Sequence, residues 1–177
     1  CIYIDNVEAS YVATKHLIQL GHRHIAHICG RLDHPDARDR RQGYINALQE
    51  AGLQPDPELM IEGTFRRQSG VLAIEKLLAA RSSFSAIFAA NDQMAYGARL
   101  GLYRRGIRVP EDVSLVGFDD EPAAAFMIPP LTTVRQPALE LGHEAVRLML
   151  ARLKGEKTTP ARLKAELIVR ESTTIQR

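Results

Sequence analysis

Asn91-Asp92-Gln93-Met94-Ala95-Tyr96-Gly97-Ala98, followed by Val113-Ser114-Leu115-Val116-Gly117-Phe118-Asp119-Asp120, decides how this chain reads. The first block follows the apolar run 85–90 and opens a helical pattern on a polar pair. The second is an apolar run that ends in two carboxylates. Runs that are apolar at successive positions suit strands covered on both faces. Polar side chains therefore fall at the carboxyl ends of buried strands. In an open α/β sheet, that rim is where small ligands bind.

Working outward, strands are predicted at 2–4, 24–29, 59–62, 85–90, 113–118 and 165–169. Helices are predicted at 6–20, 37–51, 68–80, 91–105 and 139–154. Gly21, Gly52 and Gly106 supply left-handed stops. Asp5 or Asn6 can cap the first helix and Asp36 the second. The last helix is expected to turn Leu141, Val146, Leu148, Met149 and Leu153 inward. This alternation predicts an α/β fold, a doubly wound and mostly parallel sheet with right-handed crossovers.

The Pro-punctuated segment 131–137 reads as a crossover. Residues 1–6 read as a crossover and strand edge, 7–130 as one lobe, 138–164 as part of a second, and 165–177 as a terminal strand and tail. The chain opens on Cys1 without an initiator Met and reads as a piece cut at the edge of a strand.

At 177 residues, 45% apolar and 25% charged, the chain is an ordinary globular domain. A net charge of +2 argues no case for nucleic acid by itself. No apolar run approaches the ~18–20 residues that span a membrane, and no signal peptide is visible. Two cysteines build no disulfide framework, which favours a reducing, cytoplasmic compartment. P-loop, Gly-x-Gly-x-x-Gly and Gly-x-Ser-x-Gly patterns are absent, as is a convincing nucleophile–base pair. That weighs against an enzyme, so no catalytic residue is assigned and no cofactor or metal is expected. His22 and His24 would share a strand face with His27 on the other, which is poor geometry for one metal.

On the rim, Asp119 is the ligand acceptor and Asp120 the cap of a short helix beginning near Pro122. Asn91 suits a ligand hydroxyl but equally an N-cap, and Asp92 is able to cap in its place. Arg40, among charged neighbours, reads first as surface. Phe65 follows a strand end, where its ring is either a platform for a sugar or base or a core residue.

Ordered blocks along the chain resemble the effector-binding core of lactose/galactose-repressor transcription regulators. They are Ile4-Asp5-Asn6, His16 through Ala26, Arg40-Arg41-Gln42-Gly43-Tyr44, Ala89 through Ala95, Val109 through Ser114, Pro130 through Val134 and Leu167 through Ser172. The resemblance implies a periplasmic-binding-protein-like fold of two lobes with an effector in the cleft. It places ligand contacts on Arg40, Asn91, Asp119 and Phe65, and specificity positions on His34 and Asp36. It implies a homodimer or dimer of dimers, with Tyr96, Leu100, Phe126 and Met127 at the interface. Ala138 stands where some sugar-binding members carry an aromatic.

Operator DNA would be bound only through an N-terminal helix-turn-helix missing from these residues. The expected function is sensing of a small effector, of sugar type, by a repressor whose lobes rearrange on binding. A transporter's solute-binding protein is the alternative, and an enzyme using Asp119 or Asp120 as base or metal ligand ranks below both.

Overall fold

A computed structural model describes residues 2–176; Cys1 and Arg177, at the ends of the first and last predicted segments, lie outside it. Strand β1 (Ile2–Ile4) leads into α1 (Asn6–Gln19), whose N-cap is Asp5: its Oδ1 accepts from Glu8 N at 2.9 Å. β2 (Ile25–Cys29), β3 (Met60–Glu62), β4 (Ala86–Ala89) and β5 (Ser114–Asp119) alternate with α2 (Pro35–Glu50), α3 (Arg67–Ala79) and α4 (Asp92–Arg104). β6 (Thr132–Arg135), α5 (Ala138–Leu153), β7 (Ala161–Leu163) and β8 (Glu166–Ile168) complete the order.

The main sheet runs β3-β2-β4-β5-β6-β8 and is parallel except for β8, which is antiparallel to β6. Side-chain alternation divides its core in two. Ala26, Ile28, Ile87, Ala89 and Leu115 face α3 and α4. Ile25, Ala86, Phe88, Val116 and Phe118 face α1 and α2. On that second face the His27 ring is stacked between Tyr44 and Phe88, each centroid 4.9 Å away, and its Nδ1 lies 2.8 Å from the Phe88 carbonyl. His22 is held by Ser85, Ser114 and the Thr174 carbonyl. Both histidines serve packing.

Because β2 leads outward to β3 and then back to β4, the chain reverses direction between β2 and β4. Helices α2 and α4 leave that point on opposite faces, and the crevice between them is where such sheets take ligands.

Several expectations need correction. Asp36 does not cap α2: Pro35, with its pre-set φ, starts the helix two residues earlier than expected, and His34 sits at the N-cap without a side-chain bond. Asp120 caps nothing; Glu121 precedes the short helix Pro122–Phe126. Segment 131–137 contains a full sheet strand, β6. β7, unmarked in the sequence, pairs parallel with β1 in a separate two-stranded sheet.

Helix α5 buries Leu148 and packs Leu141 inward, yet Val146, Met149 and Leu153 are exposed, together with Leu139 and Leu150. Leu141 and Leu148 lie seven residues apart on one line of the helix, and Leu139, Val146 and Leu153 repeat the same interval on another. The two lines cannot both meet β1 and β7.

Candidate functional site

Four strand ends converge at the crevice. Arg40 is carried by α2 and is only 5% exposed. Its Nε donates to Asn6 Oδ1 at 2.9 Å and its Nη1 to the Ala90 carbonyl at 2.6 Å, at the exit of β4. The guanidinium lies 3.7 Å from the Phe118 ring centroid, the stacked arrangement that suits its planar, delocalised charge. Burial works against that charge, and Asp119, Asp36 and Asp92 oppose the effect.

Asp119 Oδ1 lies 3.6 Å from Arg40 Nη1, an ion-pair separation too long for a hydrogen bond. The same oxygen accepts from Gln136 Nε2 at 2.5 Å. Burial raises the Asp119 pKa, while Arg40 and Gln136 pull it back. Among the described residues, neither Arg40 Nη2 nor Asp119 Oδ2 makes a hydrogen bond. The pair thus presents unused donors beside an unused acceptor, the complement of a vicinal diol or of a donor–acceptor edge on a base.

Phe65 forms the neighbouring wall. It has φ +61°, and its ring meets His34 edge-to-face at 5.9 Å. The ring occupies the space above Gly30: a Cβ there would lie 1.9 Å from Phe65 Cζ. Gly30→Ala is therefore expected to swing the ring out of its seat, because the ring is the only part free to yield. The expected loss of stability is about 1–3 kcal/mol. Loss of the Phe65–His34 contact in NMR spectra, with the α/β fold retained, is the check.

Asn91 is the N-cap of α4: Oδ1 accepts from Met94 N at 2.9 Å, and Nδ2 donates to the Phe65 carbonyl at 3.0 Å. The cap thus falls to Asn91 and not to Asp92. His34 is exposed on the rim and Asp36 half-buried in the first turn of α2.

The sequence offered Asn6 and Asp92 only as helix caps, and it did not single out Gln136 or the ion cluster around Asp120. Asp120 accepts from Arg135 Nε and Arg170 Nη2, each at 2.7 Å. Its arginine partners come from 15 and 50 residues downstream, beyond any local pattern.

Asp92 is fully buried and accepts from Thr133 Oγ1 at 2.5 Å and Glu121 N at 2.8 Å. Burial, opposed by these two bonds, pushes its pKa up to about 7. A carboxyl whose folded pKa is raised stabilises the fold at low pH, and that contribution is lost as pH rises from about 4 to 7. His27 acts in the opposite sense: burial lowers its pKa to about 4, so its share is lost as pH falls. The comparison that isolates Asp92 is parent against Asp92→Asn. The parent is expected to lose more stability between pH 5 and 8, by up to about 1.4 kcal/mol per unit where the group titrates. Urea unfolding at each pH checks this.

Of the predicted interface residues, Tyr96 and Leu100 lie on α4, and Phe126 and Met127 lie at the end of the short helix Pro122–Phe126. Tyr96 is half-buried, Leu100 exposed and Phe126 85% exposed, while Met127 packs on the core. A groove of about 530 Å³ between α3 and α4 has Arg67, Leu72, Tyr96, Leu100 and Arg104 in its lining, and Phe126 and Met127 are not part of it. A cavity of about 510 Å³ lies elsewhere, between the start of α1 and the β7–β8 connection, and shares no lining residue with the Arg40–Asp119 cluster.

A mostly parallel sheet, with a charged and partly unused polar pair at its switch point, places the chain in the doubly wound α/β class. The periplasmic binding protein-like domain matches residues 14–173. The transcriptional repressor PurR of Haemophilus influenzae (strain PittEE) is 40% identical over 170 residues, covering 93% of this chain and 51% of PurR. The structure of the transcriptional regulator CelR–cellobiose complex superposes with a TM-score of 0.92 at 43% identity, over 97% of this chain and 53% of that one. A dimeric Lac repressor gives a TM-score of 0.94 at 32% identity, over 99% and 64%. The chain belongs to the periplasmic-binding-protein-like family, and within it to the effector-binding cores of the lactose/galactose-repressor type. It spans about half the length of the curated relatives it matches.

Proposed function

We propose that these residues sense a small polyhydroxyl effector, of sugar type, for a bacterial transcriptional repressor. The observation that carries the reading is the Arg40–Asp119 pair, with unused donors and an unused acceptor side by side next to the Phe65 ring. Arg40 and Asp119 grip hydroxyls, Phe65 covers a C–H face, Asn91 fixes orientation, and His34 and Asp36 tune specificity. A purine nucleoside presents a similar set of groups and is the second ligand class.

Residues 7–130 together with β6 form one lobe, with 138–164 contributing to the other, and the chain passes between them at 1–6 and directly after β6. In support, α5 packs on β1 and β7, whose sheet is separate from the main one. The exposed Leu139, Val146 and Leu153 line of α5 is then covered by the remainder of that second lobe. An effector that bridges the lobes favours one arrangement by its difference in affinity for the two.

Two copies associate through Tyr96, Leu100, Phe126 and Met127, and operator DNA is bound by a segment outside these 177 residues. Among the described residues, no helix is long and apolar enough to cross a membrane. The relatives are transcriptional regulators, which favours a cytoplasmic, non-enzymatic sensor over a transporter component.

The test is a thermal-shift screen of the complete protein against pentoses, hexoses, β-glucosides such as cellobiose, and purines, repeated with Asp119→Ala. A ligand that raises the Tm of the parent and not of the variant supports the cleft. A shift that survives Asp119→Ala places the ligand elsewhere.

A further inference from the structure

Strained backbone clusters at the cleft. Four non-glycine residues among those described have positive φ: Phe65 at +61°, Arg81 at +54°, Asp119 at +120° and Asp120 at +54°. Three of the four are the two turns that present the ring and the carboxylate. Such conformations are unfavourable for L-residues and persist only where the surroundings over-determine them. Arg81 follows the end of α3, in the position where glycine usually stops a helix.

Both cleft turns are tied to one place. Asn91 Nδ2 donates to the carbonyl of Phe65. Asp92 Oδ2 accepts from the amide of Glu121, the residue directly after the Asp119-Asp120 pair. Two consecutive side chains at the start of α4 thus reach in opposite directions, one to the β3 exit and one to the β5 exit.

Asp92 is also tied to β6 through Thr133 Oγ1, and β6 leads into Gln136, which holds Asp119. Space is left for the carboxylate. A Cβ on Gly117, in the strand beside it, would lie 2.2 Å from Asp92 Oδ1. The plainer account of an acid at a helix start is attraction to the helix dipole. That attraction requires neither full burial nor a reserved gap in the sheet.

We propose that the Asn91-Asp92 pair is the positioning element of the cleft, Asn91 holding the strained turn that presents Phe65 and Asp92 the strained turn that aims Asp119 at Arg40. The proposal rests on the reading of that cleft as the effector site. It gives Asn91 a task through its side-chain bond to Phe65 besides any contact with ligand, and it makes Asp92 a binding determinant that never touches ligand. Because both turns hang on one helix start, a displacement of α4 would move the ring and the carboxylate together.

The experiment compares Asn91→Asp, Asp92→Ala and Thr133→Val in the complete protein, by amide hydrogen exchange and by calorimetric titration with cellobiose, D-ribose and adenosine. Asn91→Asp keeps the cap acceptor and loses the donor to Phe65. Exchange is expected to quicken at residues 64–66 and not at 119–121. Asp92→Ala, which removes both acceptors, is expected to quicken exchange at 119–121 by about tenfold or more while β2 and β4 keep their protection. Thr133→Val is expected to do the same more weakly, and it supplies the answer if Asp92→Ala does not fold.

Affinity for whichever probe binds the parent is expected to fall about tenfold in Asp92→Ala. Exchange that rises uniformly through the sheet, or that stays unchanged, overturns the proposal. So does local loosening with undiminished affinity. If the parent binds none of the probes, the sugar or nucleoside reading fails on its own account, and the exchange pattern alone decides for or against the positioning role.

Discussion

Arg40→Ala is expected to destabilise the protein by about 3–5 kcal/mol and to abolish effector binding. The side chain is nearly inaccessible and serves four partners at once: Asn6, the Ala90 carbonyl, the Phe118 ring and Asp119. Truncation leaves Asp119 in a half-buried position without its cation, and leaves the Asn6 oxygen and a strand-end carbonyl without their donor. Each unsatisfied buried polar group carries a penalty of about 1–3 kcal/mol. The lost charge pair and the cavity beside Phe118 act in the same direction.

Arg40→Lys is expected to recover only part of this, because one ammonium cannot reproduce a planar stack with two divergent bonds. Urea unfolding and ligand titration of the two variants check the order parent, lysine, alanine. Equal stability of parent and alanine variant would show that the buried guanidinium is dispensable.

Gly43→Ala and Gly97→Ala are expected to destabilise by about 2 kcal/mol each, although alanine is the better helix former by about 1 kcal/mol. A Cβ on Gly43 would lie 2.2 Å from the Val7 carbonyl oxygen, so α2 touches α1 backbone to backbone. A Cβ on Gly97 would lie 1.8 Å from the Arg67 carbonyl oxygen, where α4 meets α3. Main chain cannot swing aside as a side chain can, so one helix must lift from the other and part of its apolar face from the sheet. Overpacking of about 1–3 kcal/mol, occasionally more, exceeds the propensity gain and fixes the sign.

Gly142→Ala serves as the control. It lies within α5 with nothing near its Cβ position, and it is expected to be neutral or stabilising. Thermal unfolding of the three variants separates the effects.

The contrast between Gly43 and Gly142 shows where sequence reading stops. Both are glycines inside helices, and only the neighbouring helix tells them apart. The same holds at the rim. Asn91 and Asp119 were legible because strand ends carry polar residues at fixed positions in the pattern, but the use of Asn91 as cap and tether depends on where the β3 exit lies. Arg40 reads as surface among charged neighbours, and it is buried because Asn6, Ala90 and Phe118 come from three other segments to meet it. Exposed Val146, Met149 and Leu153 follow the helical apolar pattern as faithfully as buried Leu148. Periodicity marks an apolar face without saying what stands opposite.

By itself, the sequence determined the alternation of strands and helices, the parallel class of the sheet, the family and the rim on which the polar residues fall. The alternation, the sheet class and the rim follow from local rules, namely strand and helix periods, capping and the burial of apolar runs, whereas the family rests on the resemblance of the ordered sequence blocks. The tertiary structure alone decided the pairing of β1 with β7, the burial and partners of Arg40, the ion cluster at Asp120 and the tethering of two strained turns by Asn91 and Asp92. These join residues up to 159 positions apart. Their energies come from desolvation and contact geometry, which exist only once the chain has folded.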